Sequence, residues 1–316
     1  MKLAMLLVPL VVVLGLARQT GAPPVPDGDQ WLTKPVDDRT FATYLDFFAY
    51  DRQVPFDVKV AKVDDDQGVR RERLSYQSTP GVRVTAVLFQ ATAAGGSKPP
   101  ALVLLHGGGA AGKDGAGIIQ LASLLARAGW TVLALDLQYF GERSTPLLTT
   151  FSEQEKHDKL YNASSVYLAW ATQNVKDIRR ALDFLVEQRG ADPRRTGLFG
   201  SSRGAIVAAI AGGVDRRLSP VVMFYGGHYD ALENNHLPAA CPANYIGRIA
   251  PRPLLMINGA QDSDMIKVRA VDPLFRLAKQ PKQIIWTDGG HMFTTEEHRA
   301  AIIQWLREQH KPSQAS

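Results

Sequence analysis

Cysteine is almost missing from this chain. Cys241 is the only one in 316 residues, so no intrachain disulfide can form. A chain of this length can hold its fold with an ordinary hydrophobic core instead. No Cys/His spacing of the zinc-finger kind occurs, and no internal repeat is visible. Long runs of like charge are also missing. The 36 Lys and Arg and 31 Asp and Glu are mixed along the sequence, and a net charge of +5 is too diffuse to suggest nucleic-acid binding. The one long apolar run, Leu3 to Leu16, is broken by Pro9 and Gly15. It falls short of the ~20 residues a membrane-spanning helix needs.

That run has another reading. Lys2 precedes it, and small residues follow at Gly15-Leu16-Ala17 and at Thr20-Gly21-Ala22. The pattern predicts a signal peptide over 1–22, cleaved near 17 or 22, and a secreted or periplasmic protein with no membrane contact after cleavage. An uncleaved anchor is the competing reading. Residues 23–65 are expected to form an N-terminal extension. Within it, Phe41, Tyr44, Leu45 and Phe48 recur at helical spacing. Residues 66–312 form the main domain.

There the pattern alternates. Val69–Tyr76 and Val82–Phe89 read as paired strands around the turn Thr79-Pro80-Gly81. Ala101–Leu105, Thr131–Leu135, Arg195–Phe199, Pro220–Tyr225, Pro253–Ile257 and Gln283–Trp286 read as short buried strands. Helices are expected over Gly117–Ala128, Asn174–Gln188, Ala205 onward, Val271–Ala278 and Thr295–Gln309, with an insertion-like stretch at Thr145–Ala171. This is the pattern of an α/β protein: a parallel sheet with helices on both faces and an antiparallel start. Reactive groups in such sheets lie beyond the carboxyl ends of the strands.

Three of those loops carry chemistry. Gly200-Ser201-Ser202-Arg203-Gly204 is a Gly-x-Ser-x-Gly turn between a strand and a helix, which lifts a serine oxygen above the sheet. A serine hydroxyl needs a base to become a nucleophile. His291, on the glycine-rich loop Asp288-Gly289-Gly290-His291, is the candidate. Asp262, past the strand before it, is the candidate carboxylate that orients the histidine, with Asp264 as rival and Asp230 as an outside choice. The backbone N–H of Arg203 and those of Gly108 and Gly109, in His106-Gly107-Gly108-Gly109, are candidate oxyanion donors. No Gly-Lys-Ser/Thr follows those glycines, which disfavours a phosphate loop. The Arg203 side chain either attracts an anionic substrate group or salt-bridges a nearby loop. His106, Tyr139 and Arg203 are candidate substrate contacts.

These pieces, in the order His106-Gly-Gly-Gly, Gly200-x-Ser202-x-Gly204, Asp262, His291, resemble the α/β-hydrolase superfamily over about Val69 to Gln309. Asp136-Leu137-Gln138-Tyr139-Phe140-Gly141-Glu142-Arg143 is similar to a loop of dienelactone-hydrolase-like and acetyl-xylan-esterase-like members. The resemblance implies an eight-stranded, mostly parallel sheet, no metal or other cofactor, and a small-molecule or carbohydrate ester as substrate. A true dienelactone hydrolase has cysteine where this chain has Ser202, which favours ordinary ester hydrolysis. The expectation is an exported serine carboxylesterase without a large lid, its aromatics Phe151, Tyr161, Tyr167 and Trp170 available as a pocket wall. Peptidase, acyltransferase and sugar-acid esterase activities, or an inactive binding scaffold, are the alternatives.

Overall fold

The strand Ala101–Leu105 (β4) is apolar throughout and buried at every residue. That suits a position with neighbours on both edges and helices on both faces. In the computed structural model, which describes residues 27–92, 98–145, 152–230, 232–233, 236–292 and 294–309, β4 lies between Thr131–Leu135 (β5) and Thr196–Ser201 (β6), parallel to both. Val221–Phe224 (β7), Leu254–Gly259 (β8) and Lys282–Thr287 (β9) continue the parallel ladder. On the other side β5 meets Val82–Ala91 (β3), which pairs antiparallel with Val69–Thr79 (β2). The proposed signal segment lies outside the described residues.

Among the described residues the sheet has nine strands, where eight were expected, and with Lys59–Asp66 as β1 their order is β1-β2-β3-β5-β4-β6-β7-β8-β9. The addition is Lys59–Asp66 (β1), antiparallel to β2 at the edge. Its sequence, KVAKVDDD, is exposed at every residue but one. With no buried face it carries no alternation to read. Its strand character comes from ladder hydrogen bonds and from Arg71, which pairs with Asp64 at 2.6 Å and Asp66 at 3.1 Å. Charged side chains on such an edge also discourage edge-to-edge association.

Side chains of β4 alternate between two cores. Val103 and Leu105 join one with the helix Ser164–Arg189; Leu102 and Leu104 join the other with Ala116–Arg127 and Glu296–Gln309. Helix Arg203–Val214 is buried over almost its whole length on the first face. Helix Ser164–Arg189 begins ten residues before the expected Asn174, inside the stretch read as an insertion. Tyr167, Trp170, Ala171, Asn174, Val175 and Ile178 are all buried along it, which is helical spacing. It ends where Gly190 turns left-handed at φ 69°, and the Ala191 N–H closes back on the Leu185 carbonyl at 3.0 Å. Tyr167 and Trp170 are therefore core, not pocket wall. Phe151 lies outside the described residues. Among the described residues no helix is long and apolar enough to cross a membrane.

Candidate active site

Every loop with a candidate residue leaves the same edge of the sheet. At the end of β6 the chain reverses through Ser202, held at φ 49° and ψ −114°. A non-glycine residue there is strained, and such strain persists only where the surroundings over-determine it. They do so here. The Ser202 N–H donates to the Phe224 carbonyl at 2.7 Å, and the Gly204 N–H to the His106 carbonyl at 3.1 Å. A Cβ on Gly200 would lie 2.3 Å from the Gly204 carbonyl oxygen, and one on Gly204 would lie 2.5 Å from that of His106. Both glycines are therefore steric requirements of the turn.

Ser202 Oγ lies 2.9 Å from His291 Nε2, and His291 Nδ1 lies 2.8 Å from Asp262 Oδ2. The other Asp262 oxygen accepts the N–H groups of Asp264 and Met265, each at 2.9 Å. Burial raises the Asp262 carboxyl, but the His291 hydrogen bond and these backbone donors outweigh it and hold the group below its ordinary value. The carboxylate is thus charged and aimed at Nδ1, which leaves Nε2 free to accept from the serine. Asp264 is 57% exposed and only 3.9 Å from His291 Nε2. Asp230 does not reach His291; it binds Arg203 at 2.5 Å and His157 at 3.0 Å.

The loop after β4 faces Ser202. A Cβ on Gly107 would stand 3.1 Å from the Ser202 Cβ, whereas Cβ atoms on Gly108 or Gly109 would meet nothing within 4 Å. All three line the same cavity as Ser202. Among the described residues, no acceptor takes the N–H of Gly107, Gly108 or Arg203. Gly107, passed over in the sequence, is the glycine packed against the serine. Sequence alone cannot choose among three consecutive glycines.

His106 does not line the serine's cavity. Its ring is buried against Phe140; its Nε2 accepts the Leu137 N–H at 3.0 Å, and its Nδ1 reaches the Gly107 carbonyl at 2.6 Å. Burial lowers its pKa, so the neutral ring pins the glycine loop to the end of β5. Tyr139 lines neither cavity beside Ser202; it packs partly buried against the core at φ 74°.

The Asp136 loop reinforces the same place. Asp136 is fully buried and accepts from Lys113 Nζ and Thr85, each at 2.7 Å, and from the Lys113 N–H at 2.9 Å. Cβ atoms on Gly112 and Gly141 would fall 2.2 and 2.0 Å from its carboxylate. Arg143 bridges the Asp136 carbonyl at 2.9 Å and Asp177 at 2.8 Å. The residues that carry the loop's likeness to the esterase-type sequences therefore form an anchor for the glycine loop.

The Arg203 side chain turns away from the serine. It pairs with Asp230 and Glu233 and lies 3.7 Å over the Tyr161 ring. Of its two readings, the salt bridge is the one realised, and the anion hook has no free guanidinium. His157 completes the group. Its Nε2 meets Asp230 at 3.0 Å and its Nδ1 the Glu153 carbonyl at 2.8 Å. Both partners are acceptors, so both nitrogens donate. Burial lowers this pKa, but the Asp230 and Glu153 bonds outweigh it and raise the net value. No periodicity or motif marks His157, so it was not found in the sequence; it sits on a single π-helical turn, His157–Tyr161.

The resulting cavity measures about 520 Å³ and joins Ser202, His291 and the glycine loop to Glu153, Asp230 and Asp264. Among the described residues, two side-chain groups have the spacing of a cation site: His157, Asp230 and Glu233, and Asp262, Asp264 and His291. In the first the Arg203 guanidinium already neutralises both carboxylates. The second is the serine's own hydrogen-bond chain.

Comparison with known proteins agrees with this architecture. A family model for the alpha/beta hydrolase fold matches residues 100–216. An uncharacterized protein, YfhR, of Escherichia coli O157:H7 is 30% identical over 128 residues, covering 37% of this chain. The match spans 45% of that protein's length. Among solved structures, an acetyl xylan esterase from Paenibacillus sp. R4 superposes with a TM-score of 0.62 at 17% identity, covering 89% of this chain and 99% of its own. A cold-adapted esterase from an Arctic intertidal metagenomic library gives 0.60 at 21% identity, over 79% and 98% of the two chains. A putative dienelactone hydrolase from Klebsiella pneumoniae gives 0.59 at 15%, over 76% and 98%. The chain has the α/β-hydrolase fold.

Proposed function

We propose that this chain is a serine carboxylesterase that hydrolyses small neutral esters. The observation that carries the reading is the continuous chain Ser202 Oγ, His291, Asp262, with 2.9 and 2.8 Å links, on a strained turn at the head of a cavity. In this reading Ser202 Oγ attacks the ester carbonyl while His291 Nε2 takes its proton. The Arg203 N–H and a glycine N–H of 107–109 hold the oxyanion. The tetrahedral adduct collapses, the alkoxide leaves with the proton from His291, and the acyl group stays on Ser202. Water, deprotonated by His291, then repeats the attack and releases the acid and the serine. The esterase names of structurally similar proteins support the reading.

The cavity wall supports the substrate class. Glu153, Asp230 and Asp264 line it, and Arg203, the one arginine among its described lining residues, is already paired twice. An anionic ester would meet carboxylates and no free cation, which weighs against a sugar-acid ester. Export remains part of the proposal and rests on the sequence of residues 1–22.

The test is hydrolysis of p-nitrophenyl acetate to octanoate, alongside a p-nitrophenyl monoester of succinate. The account expects turnover of the neutral esters, at least about 10³-fold loss in Ser202→Ala, and poor use of the succinate ester. Activity that survives Ser202→Ala would overturn the assignment.

A further inference from the structure

A second cavity, about 360 Å³, lies on the far side of the glycine loop. That volume is within the ~300–1,000 Å³ typical of small-molecule sites. It shares Gly107, Gly109 and Met292 with the serine's cavity but is built differently. Its inner wall is Phe199 and Phe224 of the sheet, with Ile118, Leu121 and Ile302 from the helices Ala116–Arg127 and Glu296–Gln309. All five belong to the core on that face, so the cavity penetrates the core as an apolar hole.

Its charge is the reverse of its neighbour's. No acidic residue stands among its described lining residues, and Arg299 does. Arg299 is partly exposed, so a cationic side chain stands on this wall within reach of solvent. Its guanidinium makes one long contact, 3.5 Å to the Thr294 carbonyl. No described carboxylate pairs with it, whereas Arg73, Arg143 and Arg203 are all paired. Apolar depth with a cation on the wall is complementary to an apolar body bearing a carboxylate.

We infer that this cavity binds an apolar monocarboxylate, with its chain against Phe199, Phe224 and Leu121 and its carboxylate on Arg299. The ligand would touch the glycine loop and Met292, the residue after His291. Hydrolysis of acyl esters releases acids of this class, so, on the reading proposed above, the cavity is a product site that feeds back on the serine. Binding itself needs no chemistry at Ser202.

Octanoate is the probe, titrated calorimetrically into the Ser202→Ala protein. This separates the inference from the proposed function, because it does not depend on turnover. The expected result is saturable binding, weakened about tenfold in Arg299→Gln, partly restored in Arg299→Lys, and weakened in Leu121→Trp, whose larger ring narrows the cavity. Methyl octanoate, which lacks the charge, should bind about tenfold more weakly than octanoate. In the active enzyme Arg299→Gln should leave p-nitrophenyl acetate turnover unchanged and relieve octanoate inhibition. Absence of octanoate binding would overturn the inference. So would binding that is indifferent to Arg299→Gln and equal for the methyl ester, because the cavity would then be an acyl-chain subsite without carboxylate recognition.

Discussion

At the scale of single residues, two carboxylates that are neighbours in sequence have opposite surroundings. Asp262 is buried, receives two backbone N–H bonds and faces His291 Nδ1; Asp264 is mostly exposed and lies off the ring. In the proposed mechanism Asp262→Asn presents a donor or a weaker acceptor to Nδ1 and selects the wrong tautomer. It should lower kcat by on the order of 10³–10⁴, as in other Ser-His-Asp sites, while Asp264→Asn should change it by less than about tenfold. Steady-state rates on p-nitrophenyl acetate check this, and equal losses in the two variants would contradict it. His157 supports a prediction in pH. Its pKa is raised in the folded protein because Asp230 and the Glu153 carbonyl favour the charged ring over the cost of burial. A raised folded value stabilises fully below the unfolded value near 6.5 and is lost as pH rises through the folded value. Wild type should therefore melt above His157→Gln by more at pH 5.5 than at pH 9. A gap of the same size at both pH values would show that the ring is neutral in place.

At the scale of elements, the turn and the loops depend on glycines whose reasons are steric. Gly204→Ala would put a methyl 2.5 Å from the His106 carbonyl oxygen, a backbone atom that cannot swing aside. The change should cost at least about 2–3 kcal/mol, read as a lower urea midpoint or loss of soluble protein; full stability would mean the turn is looser than described. Lys113 and Asp136 are both wholly buried and paired at 2.7 Å. Lys113→Met leaves the carboxylate charged in the core and should destabilise by about 3–5 kcal/mol. It should also slow turnover, because Asp136 anchors the loop that faces Ser202. The buried strands and the Gly-x-Ser-x-Gly turn were legible because they are fixed by local composition: unbroken apolar runs, then glycine. The edge strand Lys59–Asp66 and the first ten residues of helix Ser164–Arg189 were not. The strand has no buried face to impose a period, and the start of the helix mixes polar residues with core aromatics, one of which also bonds the neighbouring loop: Trp170 Nε1 donates to the Gln138 carbonyl at 2.8 Å. The identities of the Arg203 partners, and the pairing of His157 with Asp230, were unreadable for a different reason: Asp230 and Glu233 arrive from a loop distant in sequence.

At the scale of the whole molecule, the sheet gathers residues from positions 106 to 291 at one edge and surrounds one serine with two cavities of opposite charge. The acidic one holds the reacting atoms and, by the proposal, rejects anionic esters. The apolar one lies behind the glycine loop and is lined by Arg299, which no described carboxylate pairs. The central claim is that Ser202 is a nucleophile activated by His291. Its most direct test is intact-protein mass spectrometry after treatment with diethyl p-nitrophenyl phosphate, followed by peptide mapping. The account predicts one diethylphosphoryl adduct, on Ser202, absent from Ser202→Ala and formed at least about 10³-fold more slowly in His291→Gln. An unmodified protein, an adduct on another residue, or an undiminished rate in His291→Gln would contradict it.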